Sequence, residues 1–293
     1  MIRYQEPLFR PPSEAHSLIL QATIGCSYNR CTFCGMYRDK RFRVRPLAEL
    51  EAEIEWARAS LGPRVRKVFL ADGDALVAKA SFLAAVLERL RAAFPELRRV
   101  SCYASPQSLQ VREVDEMREL AALGLTLYYL GIESGHDGVL ARLAKGVDSA
   151  EMVRVAGKAH EAGVTLSTMI LLGAGGAELS LEHARASARV VNAIQPRFLS
   201  TLIMTPVEGT PLHEEERRGE YRRVDDPTAT RELRELVAGL ELERTIFRSN
   251  HASNAVPLEG TLPRDKARLL ATLDALLAAG DDAPFVPGWM RAL

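Results

Sequence analysis

Gly25-Cys26-Ser27-Tyr28-Asn29-Arg30-Cys31-Thr32-Phe33-Cys34-Gly35-Met36-Tyr37 holds three of the chain's four cysteines, spaced C-x4-C-x2-C. The fourth, Cys102, lies far downstream. Three thiols this close in sequence point to a metal or cluster site, because structural cysteines scatter singly through cores. A disulfide reading is poor. The number is odd, and a bridge across C-x2-C would close a very short loop. A structural zinc site is closed by four ligands, usually as two pairs, and here the second pair is missing. Cys102 would complete it only if the fold brought it over. A [4Fe-4S] cluster on Cys26, Cys31 and Cys34 would leave one iron without a protein thiolate, free to bind a ligand. The ligand count favours the cluster over zinc.

The rest of the chain reads as a globular protein. Its 293 residues suit one large α/β domain or two small ones. A hydrophobic content of 47% supports a sizeable core. Lys+Arg and Asp+Glu both number 38, which argues against a chain that grips nucleic acid by bulk charge. No apolar run reaches membrane-spanning length, and the first residues show no signal-peptide pattern. With reduced cysteines, the expected location is cytoplasmic.

Strand and helix patterns alternate. Expected strands are Ser17–Thr23, Val65–Ala71, Arg98–Ala104, Leu125–Gly131, Val164–Leu172 and Phe198–Met204. Between them fall helical patterns at Pro46–Leu61, Ser81–Phe94, Glu113–Leu123, Ser149–Ala162 and Leu181–Ile194, two of them closed by Gly124 and Gly163. This is the order of parallel βαβ units. The expected architecture is α/β, a partial (β/α)6 TIM-type barrel over residues 15–212. An arm, residues 1–14, precedes it. A helical extension, residues 213–293, follows, with helices at Thr228–Phe247 and Pro263–Ala279.

In such folds ligands sit at the C-terminal ends of the strands. The first strand runs into the cysteine loop. The second ends in Asp72-Gly73-Asp74, which is either a plain turn with a capping Asp or a ligand contact. The fourth ends in Gly131-Ile132-Glu133-Ser134-Gly135, with Lys145 a dozen residues on. The fifth ends in Gly173-Ala174-Gly175-Gly176, and the sixth leads to Pro206-Val207-Glu208-Gly209-Thr210-Pro211.

Taken together, these ordered elements resemble the radical S-adenosylmethionine (radical SAM) superfamily. Within it, the pattern is closest to the Elp3-like and oxygen-independent coproporphyrinogen oxidase groups. The resemblance covers about residues 15–212, and the cysteine loop carries one residue more than the commonest spacing. It implies a [4Fe-4S] cluster on Cys26, Cys31 and Cys34, whose open iron chelates the methionine end of SAM. It implies an enzyme that cleaves SAM reductively to a 5′-deoxyadenosyl radical, which takes hydrogen from an unidentified small-molecule substrate. A one-electron donor such as flavodoxin or ferredoxin would serve as partner. Phe33 and the backbone near Met36 would lie by the adenine. Asp72-Gly73-Asp74 would meet the SAM amino group, and Glu133 with Ser134 the ribose or methionine end. Lys145 would neutralise the carboxylate, and the Gly173 loop would cradle the adenine. The chain has Met169 where the coproporphyrinogen oxidases carry an acid, and the glycine loop lacks the family's proline. Two other classes stand beside this one: a non-catalytic SAM- or haem-binding chaperone on the same fold, and a zinc-stabilised binding protein.

Three features remain. Cys102 reads as a core residue or as a substrate-side thiol, and one extra cysteine cannot support a second cluster. Arg38, Lys40, Arg41, Arg43 and Arg45 read as a solvated face or as a docking face for an acidic donor. The polar loop Arg248–Asn254 reads as a helix stop or as a flap offering Asn250, His251 and Asn254 to substrate. His136 and His183 are expected to be structural.

Overall fold

The computed structural model describes residues 1–291. Among the described residues ten strands are present: β1 (Leu18–Gln21), β2 (Thr23–Ile24), β3 (Arg43–Val44), β4 (Lys67–Ala71), β5 (Arg99–Ala104), β6 (Leu125–Glu133), β7 (Thr165–Leu172), β8 (Phe198–Ile203), β9 (Thr245–Arg248) and β10 (Glu259–Leu262). The helices are α1 (Leu47–Leu61), α2 (Ala80–Ala93), α3 (Pro106–Val111), α4 (Val114–Ala122), α5 (Asp137–Arg142), α6 (Ser149–Glu161), α7 (Ser180–Ile194), α8 (Pro211–Arg217), α9 (Asp226–Gly239) and α10 (Lys266–Ala279). The main sheet has the order β1-β4-β5-β6-β7-β8-β9-β10, and β2 and β3 form a separate pair. The β/α alternation read from the sequence is present through β8. Among the described residues, no helix is long and apolar enough to cross a membrane.

The chain divides into two compact units. One comprises Met1–Asn29, Met36–Leu130 and Val155–Leu166; the other comprises Arg30–Gly35, Gly131–Arg154 and everything from Ser167 on.

In the first unit, parallel pairing sets Phe69 beside Ser101 and Leu70 beside Cys102. Tyr103 pairs with Tyr129, and Cys102 with Tyr128. Side chains alternate across a strand, so Phe69, Tyr103 and Tyr129 share one face, and Leu70, Cys102 and Tyr128 the other. The three rings meet edge to face. The N-terminal arm is tied down beside them. Tyr129 and Arg99 both reach the buried Glu14 carboxylate, and Gln5 and Gln21 exchange hydrogen bonds. Helices α1 and α2 bury Leu50, Ile54 and Ala57, and Leu83, Val86, Leu87 and Leu90. Those spacings place the apolar residues on one helical stripe.

In the second unit, β7 and β8 pair in parallel, and β9 joins β8 in parallel. Strand β10 then turns back antiparallel on β9. This corrects the expected helical extension. The helix expected over Thr228–Phe247 stops at Gly239, and Thr245-Ile246-Phe247 forms a strand instead. Phe247 is fully buried there, and β-branched and aromatic residues favour a pleated, half-buried surface. The short helices α3, α5 and α8, absent from the sequence reading, start at the caps Ser105, His136 and Thr210.

Candidate cofactor site

The first unit organises the start of the cysteine loop around Asp72, which is fully buried at the end of β4. One carboxylate oxygen accepts from the Gly25 amide at 3.0 Å and from the Lys40 ammonium at 3.0 Å. The other accepts from Gln21 Nε2 at 3.0 Å. The Gly73 amide returns a bond to the Gly25 carbonyl at 3.1 Å. The residue just before Cys26 is therefore gripped through both its amide and its carbonyl. Asp74 is also fully buried, and accepts from the hydroxyls of Ser27 and Ser105. Burial pushes its carboxyl up, and those serine bonds pull the other way. Gly73 must be glycine for reasons of space: a Cβ there would lie 2.5 Å from the Tyr37 ring and 3.0 Å from the Cys26 Cβ.

The basic run is corrected here. Lys40 and Arg45 are buried, not solvated. Arg45 forks onto Glu53 and Glu49, and Lys40 is spent on Asp72, Gln5 and Pro7. Arg38, Arg41 and Arg43 are the exposed members.

The second unit holds the later part of the loop. The Thr32 amide donates to the Leu143 carbonyl at 3.0 Å and its hydroxyl to the Arg142 carbonyl at 2.9 Å. The Leu212 amide donates to the Thr32 carbonyl at 3.1 Å. Phe33 packs on an apolar cluster that includes Val139, Leu143, Leu171 and Met204. Lys145 and Glu133 form a buried ion pair at 2.9 Å. Burial works against the Lys145 charge, but Glu133 and then Cys31 outweigh it and hold its pKa above the ordinary lysine value. Burial raises the Cys31 thiol, opposed chiefly by Lys145. Glu133 has a φ of 65°, a left-handed conformation that costs energy in any residue with a Cβ and gathers at functional sites. Its Oε2 is buried with no hydrogen-bond partner.

That orphaned oxygen is the test of whether the residues present fit a bound nucleoside. A buried carboxylate oxygen left unpaired costs energy until something donates to it, and a ribose or ammonium would. Half-buried Cys31 and Cys34 lie in the same unit, with a cation held near Cys31. This donor set suits thiolate ligation. Among the described residues, no three His, Cys, Asp or Glu side chains converge on a point that one metal ion would fill. A four-iron cluster asks for a wider arrangement, since each cysteine takes a different iron.

The model of the radical SAM superfamily matches residues 20–185. The chain belongs to the radical SAM superfamily. Among solved structures, this radical SAM chain is similar to methylornithine synthase, with a TM-score of 0.55 and 13% identity over 88% of this chain and 68% of that one. It is also similar to Elp3 of Methanocaldococcus infernus, with a TM-score of 0.51 and 15% identity over 78% and 59%. Coproporphyrinogen III oxidase of Escherichia coli gives a TM-score of 0.51 and 18% identity over 74% and 58%. These likenesses show the fold, the partial TIM-type barrel expected from the sequence. An uncharacterised protein of Methanocaldococcus jannaschii is 24% identical over 134 residues. The radical SAM chain spans 41% of the length of that relative.

Other expected site residues fall differently. Cys102 is fully buried on the sheet face opposite Tyr103, and burial pushes its thiol well above the usual range. That is the placement of a core residue, not of a substrate-side thiol. Asn254 is buried and fully engaged. Its amide nitrogen donates to the Thr201 carbonyl and Ser249 Oγ, and its oxygen accepts from the Ile203 amide. It anchors its loop to β8, so its polar atoms are not offered to substrate. Asn250 reaches Glu259, and His251 Nδ1 pairs with Ser253. Gly173 donates its amide to Glu232 and accepts on its carbonyl from Tyr221, so it shapes its loop and offers neither group outward. The sequence reading missed Lys40 and Glu232. Ser180, His183 and Ser187 form a polar stripe at helical spacing on an otherwise apolar buried face, and that stripe was a signal for the buried network around Glu232.

Proposed function

We propose that this chain is a radical SAM enzyme acting on a small-molecule substrate, with Cys26, Cys31 and Cys34 holding a [4Fe-4S] cluster. The orphaned Glu133 Oε2, beside the Glu133–Lys145 pair, is the observation that carries this reading. When bound, the cluster supplies one electron to SAM, which then yields methionine and a 5′-deoxyadenosyl radical able to take hydrogen from substrate.

The protein's own residues bind and orient. Glu133 accepts from the ribose or methionine end of SAM through its unpaired oxygen, while Lys145, paired with its other oxygen, offers positive charge toward the methionine carboxylate. Ser134 holds the turn that follows. Phe33 and the backbone at Met36 lie by the adenine. Asp72 and Asp74 hold Gly25 and Ser27, and so set the position of Cys26; the Asp72-Gly73-Asp74 turn would meet the SAM amino group. Exposed Arg38, Arg41 and Arg43 give an acidic one-electron donor such as flavodoxin or ferredoxin a face to approach.

Anaerobic reconstitution with iron and sulfide tests the ligand assignment. About four irons per chain are expected, with loss of the cluster in Cys26→Ala, Cys31→Ala and Cys34→Ala and retention in Cys102→Ala. A full cluster in all four variants, or one lost only in Cys102→Ala, contradicts it.

A further inference from the structure

Glu232 lies on α9, beyond the stretch that matches the superfamily model. It is fully buried. Its Oε1 accepts from the Gly173 amide at 2.6 Å, and its Oε2 from the Ser180 hydroxyl at 2.5 Å. His183 stands beside it, with Nε2 3.5 Å from Oε1. His183 Nε2 is also 3.1 Å from the Leu171 carbonyl, which can only accept, so this nitrogen carries the proton. Nδ1 is then the acceptor, and takes the Ser134 hydroxyl proton at 2.8 Å. Ser134 Oγ in turn accepts from the His136 amide at 3.0 Å. One chain of bonds thus runs from the turn after Glu133, at the end of β6, to Leu171 at the end of β7. Glu232 secures Gly173 two residues on.

We propose that Glu232, in its ionised form, is a positioning residue that locks the end of β7 and the Gly173 loop, and through His183 the turn after Glu133, in the geometry that receives SAM. The proposal rests on the radical SAM reading for its ligand but not for the lock itself. The ionised carboxylate accepts from both groups, the Gly173 amide and the Ser180 hydroxyl. On protonation one oxygen still serves Gly173, but the Ser180 hydroxyl has to reverse and accept the carboxyl hydrogen, so this contact is remade as Glu232 titrates. Burial supports the switch by lifting the Glu232 carboxyl to about 7, against the bonds from Ser180 and Gly173. The groups facing it are His183 from α7, held neutral with a pKa lowered to about 4 by burial, and Tyr221, whose hydroxyl donates to the Gly173 carbonyl. His136, further along the chain of bonds, opposes charge on His183.

Two readouts test it. In the 293-residue chain without SAM, the Gly173 amide NMR signal is followed from about pH 5.5 to about pH 8.5. Titration near pH 7 in the wild type and none in Glu232→Gln supports the lock; a wild-type signal that does not move overturns it. If Glu232→Gln fails to fold, Ser180→Ala replaces it, and its Gly173 midpoint must rise, since a bond to the ionised form is gone; an unchanged midpoint overturns the lock. In the reconstituted protein, S-adenosylhomocysteine affinity should weaken several-fold from pH 8.0 to 6.0 in the wild type and stay flat in Glu232→Gln. Equal pH dependence in both overturns the positioning role. No binding by the wild type at any pH overturns the radical SAM reading instead, and the amide titration still decides the lock.

Discussion

The Lys40 ammonium lies 3.0 Å from the Asp72 carboxylate, and its other two donors go to the backbone carbonyls of Gln5 at 2.6 Å and Pro7 at 2.7 Å. An ammonium has three protons, so this one is fully used. One side chain joins the N-terminal arm to the carboxylate that fixes Gly25, the residue before Cys26.

Removing Lys40 strands a buried carboxylate. Lys40→Met should therefore cost about 3–5 kcal/mol of stability, the usual penalty for breaking a buried ion pair from one side. Lys40→Met with Asp72→Asn should recover a large part of it, because no uncompensated charge remains. Urea unfolding of the two variants checks this. Equal losses in both would place the cost elsewhere than in the charge.

The Glu133–Lys145 pair leads to a separation of binding from cluster assembly. Glu133→Gln keeps the shape but gives up the charge that holds a donor strongly. It should weaken S-adenosylhomocysteine binding about 10-fold or more, equivalent to the roughly 1.5–3 kcal/mol of a hydrogen bond to a charged group. Iron content should be unchanged. Isothermal titration of the reconstituted variants, alongside iron assay, checks both halves.

Buried Glu232 and His183 pull stability in opposite directions with pH. The Glu232 pKa is raised from 4.5 to about 7, so its contribution is complete below 4.5 and is lost as pH rises through 7. The His183 pKa is lowered from 6.5 to about 4, so its contribution is complete above 6.5 and is lost as pH falls through 4. Between about 4.5 and 6.5 the two slopes cancel. Glu232→Gln removes one of them. Its unfolding free energy should then rise with pH through that window by about 1.4 kcal/mol per pH unit relative to wild type. Denaturant titrations at several pH values check the sign, and parallel profiles would show that Glu232 does not titrate there.

Cys102 provides a control. It is fully buried beside Leu70 and Tyr128 in the strand register. Cys102→Ala should cost about 1 kcal/mol, the scale of one small buried group, and leave iron content and SAM turnover intact. A loss of turnover at unchanged iron content would return Cys102 to the substrate side.

The alternation of β and α elements was legible because periodicities of two and of 3.6 residues are local properties. The cysteine loop stood out as a candidate site because its three thiols are close in sequence. What escaped the sequence is what long-range burial decides. Lys40 stands in a run of cations that looks solvated, and only the placement of Asp72 makes it internal. Glu232 sits in a helix with ordinary charged neighbours, and its burial depends on α7 and the Gly173 loop. Strand β9 was hidden because Thr245-Ile246-Phe247 continues an apolar pattern that also fits a helix, and the sheet edge offered by β8 decides between them. Asn254 and Cys102 look functional in sequence because polar density and a lone thiol attract notice, yet packing turns both inward.

The central claim is that three cysteines leave one iron open to SAM. Its most direct measurement is 5′-deoxyadenosine formation by the anaerobically reconstituted protein, reduced with dithionite in the presence of SAM. The account predicts 5′-deoxyadenosine and methionine from the wild type, and neither from Cys26→Ala, Cys31→Ala or Cys34→Ala. A purified protein that carries zinc at these cysteines, or an intact cluster that leaves SAM uncleaved under reduction, would contradict it.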